Sequence, residues 1–394
     1  MSLIDFDSHF TEPFDWLRHV DAKLAAEVKK RVKLSWAEQF FGEMLAAIPA
    51  DERPPVEEFL PESVAAFFRR FDQVESLEEL EPLVDPNLLA VFKRPGISGG
   101  KERIEHCDQR GIDVQVCSPG PASISVIATN GVDPALGRRV CAALNDWSAN
   151  AARGFTDRLL PTALVTLDDV AWSVSELTRM RERGSRTWMM PLNPVQGRTL
   201  GDPAYDPLWA ASLDLGIIPV VHIGLGWSDA DASWFRIAGK ANGQLALSTA
   251  GAMIPIVSQM VLTDLIYRGV FDRFPNLIII NSEFGLGWVD DWVDRVGPAT
   301  RLGGLNPAGF FPWEHAQLPR ETLERNLRFT PLRGQRVDEA IDKFGPHIVL
   351  FASDYPHPEG IESEWGCYEA LLKDHSDSDR SRFFHENAAE LLKA

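Results

Sequence analysis

Eight short apolar runs, spaced by segments of helical length, constrain the fold of this chain more than any other feature. They are LIDFDSHF (3–10), DVQVCSPG (113–120), LLPTALVTL (159–167), RTWMMPLN (186–193), IIPVVHIG (217–224), LIIINSEFG (277–285), NLRFTPL (326–332) and IVLFASDYP (348–356). Most are continuous and lack clean alternation, as expected of parallel strands covered on both faces. The segments 137–155, 168–184 and 206–216 read as helices that end in or near a glycine, a natural stop. Strands alternating with helices imply right-handed βαβ units, and eight such units predict an α/β fold of the (β/α)₈ TIM-barrel type. An open doubly wound sheet is the alternative, but no Gly-rich dinucleotide fingerprint follows the first run.

A length of 394 residues suits one barrel domain, 1–394, carrying insertions. The largest, 12–100, follows the first strand. Its amphipathic stretches, the RPP break at 53–55 and the acidic run 74–85 read as a mostly helical insertion or lid. Residues 225–255 form a second irregular segment. The most apolar window, 250–267, is interrupted by Gln259 and Asp264 and reads as a buried helix, so no membrane association is expected.

Thirty-nine basic against 57 acidic residues give a net charge of −18, which argues against a nucleic-acid partner. The four cysteines, Cys107, Cys117, Cys141 and Cys367, have neither CxxC spacing nor a disulfide framework, which fits a reducing compartment. The opening MSLIDFDSHF has two aspartates where an export signal needs a basic start and an apolar core. The expectation is a soluble, cytoplasmic protein.

Catalytic groups of barrel enzymes collect at the C-terminal ends of the strands. The polar residues there are Asp7 and His9 after run one, His222 after five, Glu283 after six, and Asp354 with His357 after eight. First and eighth strands are neighbours in a ring, so Asp7, His9 and Asp354 converge. D-x-H places both side chains on one side of a strand. Two imidazoles and two carboxylates suit Zn²⁺, Mn²⁺ or Fe²⁺.

Each residue also has a plainer reading. D-x-H is a turn or cap, His222 is satisfied by a backbone carbonyl, Glu283 pairs with an arginine or a helix N-terminus, and Asp354 caps the next helix. These readings do not account for so many such residues at matching strand ends. His106 reads as structural or surface. Trp227 and Trp234 are candidates to line an apolar substrate pocket, and Arg236, Arg328 and Arg333 to grip a substrate carboxylate.

DFDSHFTEP (5–13), HCDQRGID (106–113), VVHIG (220–224), EFGLGWVDDWVDR (283–295) and FASDYPHPEG (351–360), in this order, resemble the amidohydrolase-related branch of the amidohydrolase superfamily. That branch includes the aminocarboxymuconate-semialdehyde and γ-resorcylate decarboxylases. The resemblance implies a distorted (β/α)₈ barrel with one divalent metal ion (Zn, Mn or Fe) and no organic cofactor. It implies metal ligation by Asp7, His9, His222 and Asp354. Glu12, Glu283 and His357 are further ligands or supports of the ligands. Relatives often carry H-x-H or E-x-H at the first position, and this chain has D-x-H. Aspartate reaches less far, which leaves room for a water at Asp7 or for Glu12 to substitute. Family members are often dimers.

The implied activity is that of a carboxy-lyase acting without oxidation on an apolar or aromatic carboxylic acid, with Asp354 or His222 moving the proton. A hydrolase of an ester, lactone or amide uses the same ligands, with Asp354 as general base on metal-activated water. A di-iron oxygenase is the minor reading.

Overall fold

In the computed structural model the chain is described over residues 3–35, 91–224, 243–297, 313–357 and 365–393, with short pieces between (38–39, 55, 65–66, 69–70, 73–74, 76–83, 236–237, 240–241 and 360). Seven strands follow the predicted runs: β1 (Ile4–His9), β2 (Val114–Ser118), β3 (Leu159–Leu164), β4 (Thr187–Met189), β5 (Ile218–His222), β6 (Ile279–Ser282) and β7 (Leu327–Phe329). They pair in chain order, every pair parallel. All residues of β1, β3, β4, β5 and β6 are buried, because helices cover one face and side chains fill the barrel on the other.

The eighth run does not form a regular strand, yet it takes the eighth place. On one side Phe329 and Leu350 exchange backbone bonds with 348 and 329: the Phe329 amide donates to Ile348 at 2.9 Å and the Leu350 amide to Phe329 at 2.9 Å. On the other side the Phe6 amide donates to Phe351 at 2.8 Å, Asp354 to Asp7 at 2.8 Å and His9 to Tyr355 at 2.6 Å. Segment 348–355 therefore lies between β7 and β1 and closes a distorted (β/α)₈ barrel. Two local features keep it irregular. Asp354 has φ +56°, in the left-handed region that breaks a strand, and the Ser353 amide donates to the Asp5 carboxylate instead of to a ladder partner.

The helices start and stop on local chemistry. Helix Pro134–Ala151 begins three residues before its expected start, because Asp133 caps the Leu136 amide and Pro134 occupies the first turn. Asp169 caps Val170–Glu182, and left-handed Gly216 ends Asp206–Leu215. The apolar window at 250–267 lies in helix Gly243–Tyr267, and among the described residues no helix is long and apolar enough to cross a membrane. Within the 12–100 insertion the helices Trp16–Val20, Ala22–Arg31 and Leu77–Leu80 are described. Short 3₁₀ turns at Glu81–Leu83 and Val91–Lys93 are described as well; most of 36–90 lies outside the described residues, as does most of 225–242.

The closing segment is anchored from behind. Phe351 is fully buried, with ring centroids of Phe384 at 5.7 Å, Phe383 at 6.1 Å and Tyr368 and Trp365 at 6.3 Å. Its amide donates to Phe383 O at 3.1 Å, in a π-helical turn over Arg382–Glu386. The Asn387 amide group donates to the carbonyls of Pro346 at 2.7 Å and Val349 at 3.0 Å. Truncating Phe351 removes the hub of this cluster, so Phe351→Ala is expected to cost about 3–5 kcal/mol, read as a lowered urea midpoint with unchanged slope. A loss under about 1 kcal/mol would show that the closing segment does not depend on this packing.

Candidate metal centre

The site begins with a fault in β1. Asp5 pairs with Gln115 and Ser8 with Cys117, so two residues of β1, Phe6 and Asp7, oppose one of β2, Val116. This is a β-bulge, which re-aims side chains. Asp5 and Ser8 consequently share a side with Gln115 and Cys117, and their contacts lie there: Gln115 Nε2 donates to Asp5 at 2.7 Å and Ser8 Oγ to Val116 O at 2.9 Å. Asp7 and His9 turn to the barrel mouth.

There they meet residues from β5, β6 and the closing segment. His222 Nε2 is 3.3 Å from Asp7 Oδ1 and 3.5 Å from Glu283 Oε2. His9 Nε2 is 3.5 Å from both Asp7 Oδ1 and Asp354 Oδ1. His357 Nδ1 is 2.7 Å from Asp354 Oδ1 and 4.0 Å from Glu283 Oε1. Ligand atoms of Asp7, His9, His222 and Glu283 lie within 4.8 Å of one another, and so do those of His9, Glu283, Asp354 and His357. The ring centroids of His9 and His357 are 4.2 Å apart.

The supporting contacts fix these groups. Ser282 Oγ donates to Asp7 Oδ2 at 2.6 Å and pairs with Thr330 Oγ1 at 2.9 Å, while Thr330 Oγ1 also accepts the Glu283 amide at 3.1 Å. Glu283 is held in the left-handed region, φ +66°, as is Asp354. Non-glycine residues there store strain of about 1–3 kcal/mol each, and they cluster at functional sites.

The donor chemistry fits a cation. His222 Nδ1 lies 2.8 Å from the Ile223 carbonyl, so a proton is assigned to Nδ1, while Nε2 shares a proton with Asp7 Oδ1 at 3.3 Å and would give it up to a bound metal ion. The backbone-carbonyl reading of His222 is met at Nδ1, and it leaves Nε2 open to the ligand reading. Burial, with His357 beside it, pushes the His9 imidazole below its usual range and keeps it neutral. Its Nε2 is buried and has no hydrogen-bond partner among the described residues. A neutral nitrogen aimed between two carboxylates calls for a positive charge between them. Burial opposes ionisation of Asp7, yet His222 holds its carboxyl well below the usual carboxylate range. Burial likewise opposes the charged form of His222, and Asp7 outweighs it, raising that imidazole. Asp7, His9, His222 and Glu283, or His9, Glu283, Asp354 and His357, would hold a divalent ion, with His9 and Glu283 common to both groups and His357 hydrogen-bonded to Asp354.

The other sequence candidates fall elsewhere. Glu12 enters neither ligand group: its carboxylate accepts the amides of Gly120 at 2.9 Å and Ala122 at 3.3 Å, and burial pushes its carboxyl up to about 7. A Cβ at residue 120 would lie 2.3 Å from Phe10 O, so glycine is required for this approach. Arg328 donates to the carbonyls of Glu324 and Leu327, and Arg333 is exposed. Arg236 belongs to a two-residue strand paired with Lys240–Ala241. Its side chain, and Trp227 and Trp234 entirely, lie outside the described residues. Sequence reasoning passed over Ser282 and Thr330, whose small hydroxyls read as ordinary strand residues. It also passed over Asp5, although a second acid in IDFDSH is a signal.

His106, read from the sequence as structural or surface, backs the closing segment. It is buried and stacks on Tyr355 at 4.2 Å, and burial plus Arg103, Arg110 and Arg94 push its imidazole down to about 4. Unfolded, it titrates near 6.5. The unfolded chain thus binds the extra proton between about pH 6.5 and 4, and stability falls as pH falls through that window. His106→Phe keeps the stack and is expected to flatten this slope, measured as urea midpoints at pH 7 and pH 5. An unchanged slope would remove His106 from the acid response.

The amidohydrolase family model matches residues 4–394. The chain is similar in structure to an amidohydrolase from Mycobacterium avium subsp. paratuberculosis K-10, with TM-score 0.68 and 23% identity over 99% of this chain and 98% of the other. It is similar to a 5-carboxyvanillate decarboxylase from Novosphingobium aromaticivorans DSM 12444 with bound manganese and a nitrobenzoic acid, with TM-score 0.63 and 19% identity over 100% and 97%. A 2,6-dihydroxybenzoate decarboxylase from Rhizobium gives TM-score 0.61 and 16% identity over 100% and 99%. No curated protein matches the chain.

Proposed function

We propose that this chain, which belongs to the amidohydrolase family, is a divalent-metal-dependent carboxy-lyase that removes CO₂ from an aromatic or apolar carboxylic acid without oxidation. The observation that carries the reading is the buried His9 Nε2, unpartnered among the described residues, set between the carboxylates of Asp7 and Asp354. Manganese bound in the similar decarboxylases supports the metal, and their aromatic acids suggest the substrate class.

The charges agree. Asp7, Glu283 and Asp354 face neutral or shared-proton imidazoles, so the mouth is anionic and would repel an acid. A bound divalent ion would supply the positive charge that holds the substrate carboxylate and draws electron density from it. The chain's own residues handle the proton. Loss of CO₂ leaves the electron pair of the broken C–C bond on the substrate carbon, and a proton must reach that carbon. Asp354 is the donor in this reading: His357 Nδ1 fixes its carboxyl at 2.7 Å, and the 28% exposed His357 side chain connects it to solvent. His222, with its Nδ1 held by Ile223 O, orients the opposite wall.

Hydrolysis of an ester, lactone or amide is the second reading, favoured by the same Asp354–His357 pair, which in that case takes a proton from water. The product separates the two, since only the lyase releases CO₂.

Protein purified without added metal is expected to carry about one divalent ion per chain, manganese, zinc or iron, measured by elemental analysis. His222→Ala should lose the ion and all activity. Asp354→Asn should lower the rate of CO₂ release from aromatic acids about 10²–10⁴-fold. Full activity in chelator-stripped protein, or CO₂ release undiminished in Asp354→Asn, would sink the reading. Two irons per chain would favour the oxygenase.

A further inference from the structure

Behind the metal centre lies a polar chain that the proposed chemistry does not use. Arg103, Gln115 and Asp5 are all 0% exposed and Ser353 is 5% exposed. Arg103 projects from helix Gly100–Arg110. Its Nε donates to Gln115 Oε1 at 2.7 Å, and Gln115 Nε2 donates to Asp5 Oδ2 at 2.7 Å. Asp5 in turn accepts the Ser353 amide at 2.8 Å and Ser353 Oγ at 2.6 Å. The other arms of Arg103 donate to His9 O at 3.0 Å and Gly96 O at 3.2 Å, and its guanidinium lies 4.6 Å from the Tyr355 ring centroid.

The two ends of this chain are the point. At one end Arg103 grips the backbone of His9. At the other, Asp5 grips the backbone and hydroxyl of Ser353, the residue before Asp354. His9 Nε2 and Asp354 Oδ1 stand 3.5 Å apart across the mouth, on two segments joined otherwise by irregular pairing. A guanidinium and a carboxylate buried away from solvent remain only when each is fully hydrogen-bonded, and Gln115 links them with donor and acceptor in the required order. Burying a cation and an anion to position two backbone segments is a costly arrangement for stability alone, since apolar replacements of such groups are often neutral or stabilising.

We propose that Arg103, Gln115, Asp5 and Ser353 form a buried brace whose role is to set the separation of His9 and Asp354, and hence the affinity of the site for its divalent ion. They are positioning residues, since none of them enters either ligand group. The proposal rests on the metal-dependent reading above, but not on the reaction catalysed.

The test is equilibrium binding of Mn²⁺ alone to the stripped full-length chain, followed by the signal of the free ion, with no substrate present. Ser353→Ala and Gln115→Glu are each expected to weaken Mn²⁺ binding about 10- to 100-fold, the usual effect of disturbing groups that orient ligands. Gln115→Glu sets a second carboxylate against Asp5. The double variant Asp5→Asn/Gln115→Glu reverses the hydrogen bond between the two positions, restores one negative charge and should recover most of the lost affinity. Leu177→Ala, a cavity in the fully buried core outside the brace, is the stability-matched control and should bind Mn²⁺ like the parent. Single variants that bind Mn²⁺ as tightly as the parent, a double variant no better than Gln115→Glu, or an equal loss in Leu177→Ala would overturn the brace. A parent chain that binds no Mn²⁺ overturns it together with the metal-dependent reading. Brace-dependent binding without any CO₂ release overturns the lyase alone.

Discussion

A single extra residue in β1 decides what the polar face of IDFDSH can do. Side chains on a strand alternate with a period of two, so an unbroken β1 would send Asp5, Asp7 and His9 together to one side. The bulge between Asp5 and Ser8 divides them. Asp7 and His9 face the barrel mouth, and Asp5 turns to Gln115 and Ser353. A fourth acid at the mouth would add negative charge to a site that already holds Asp7, Asp354 and Glu283. Moved behind the wall, the same acid holds the closing segment in place. Much of the site geometry descends from that one change of register.

The closing segment shows why regular structure gives way here. A continuous eighth strand would pair every amide with β7 or β1 and would alternate its side chains through the wall. Left-handed Asp354 breaks that alternation and brings its carboxylate beside His9 and His357. Glu283, also left-handed, does the same at the end of β6. Strain of this size persists only where surrounding contacts over-determine the backbone, and they do. Thr330 accepts the Glu283 amide, Asp7 O accepts the Asp354 amide, and Arg94 donates to the carbonyls of Pro356 and His357 at 2.6 and 3.1 Å. The rigidity fits a site in which ligands are placed before the ion arrives, which lowers the cost of binding.

How much of this was legible in the sequence follows from the range of each signal. The apolar runs are local, and seven of the eight mark a strand to within a few residues, the eighth marking the irregular closing segment. The C-terminal ends of the strands are local too, so Asp7, His9, His222, Glu283 and Asp354 are visible as polar residues where apolar runs stop. Partners far apart in the chain are not visible. Nothing near Glu12 announces that Gly120, 108 positions away, supplies its amide. Arg103 reads as one more charge on an amphipathic helix until Gln115 and the His9 carbonyl are placed against it. The bulge leaves no mark in the hydrophobic period, because both faces of β1 are buried and apolar alternation has nothing to report.

The charge balance of the mouth joins these levels. Three carboxylates and three imidazoles meet in a largely buried site, and in such surroundings an unbalanced charge is costly. Asp7 stays ionised because His222 shares its charge, while His9 stays neutral because burial and His357 disfavour a second cation. The result is an electron-rich cage whose unpartnered nitrogen points inward. Without a cation Asp7 leans on His222 and Asp354 on His357, while His9 Nε2 has no partner among the described residues; a bound cation would turn these same atoms into ligands. The strain at Asp354 and Glu283, the bulge in β1 and the buried links behind it all act to hold acceptors where they would otherwise move apart. A cation bound there would offset that cost in stability.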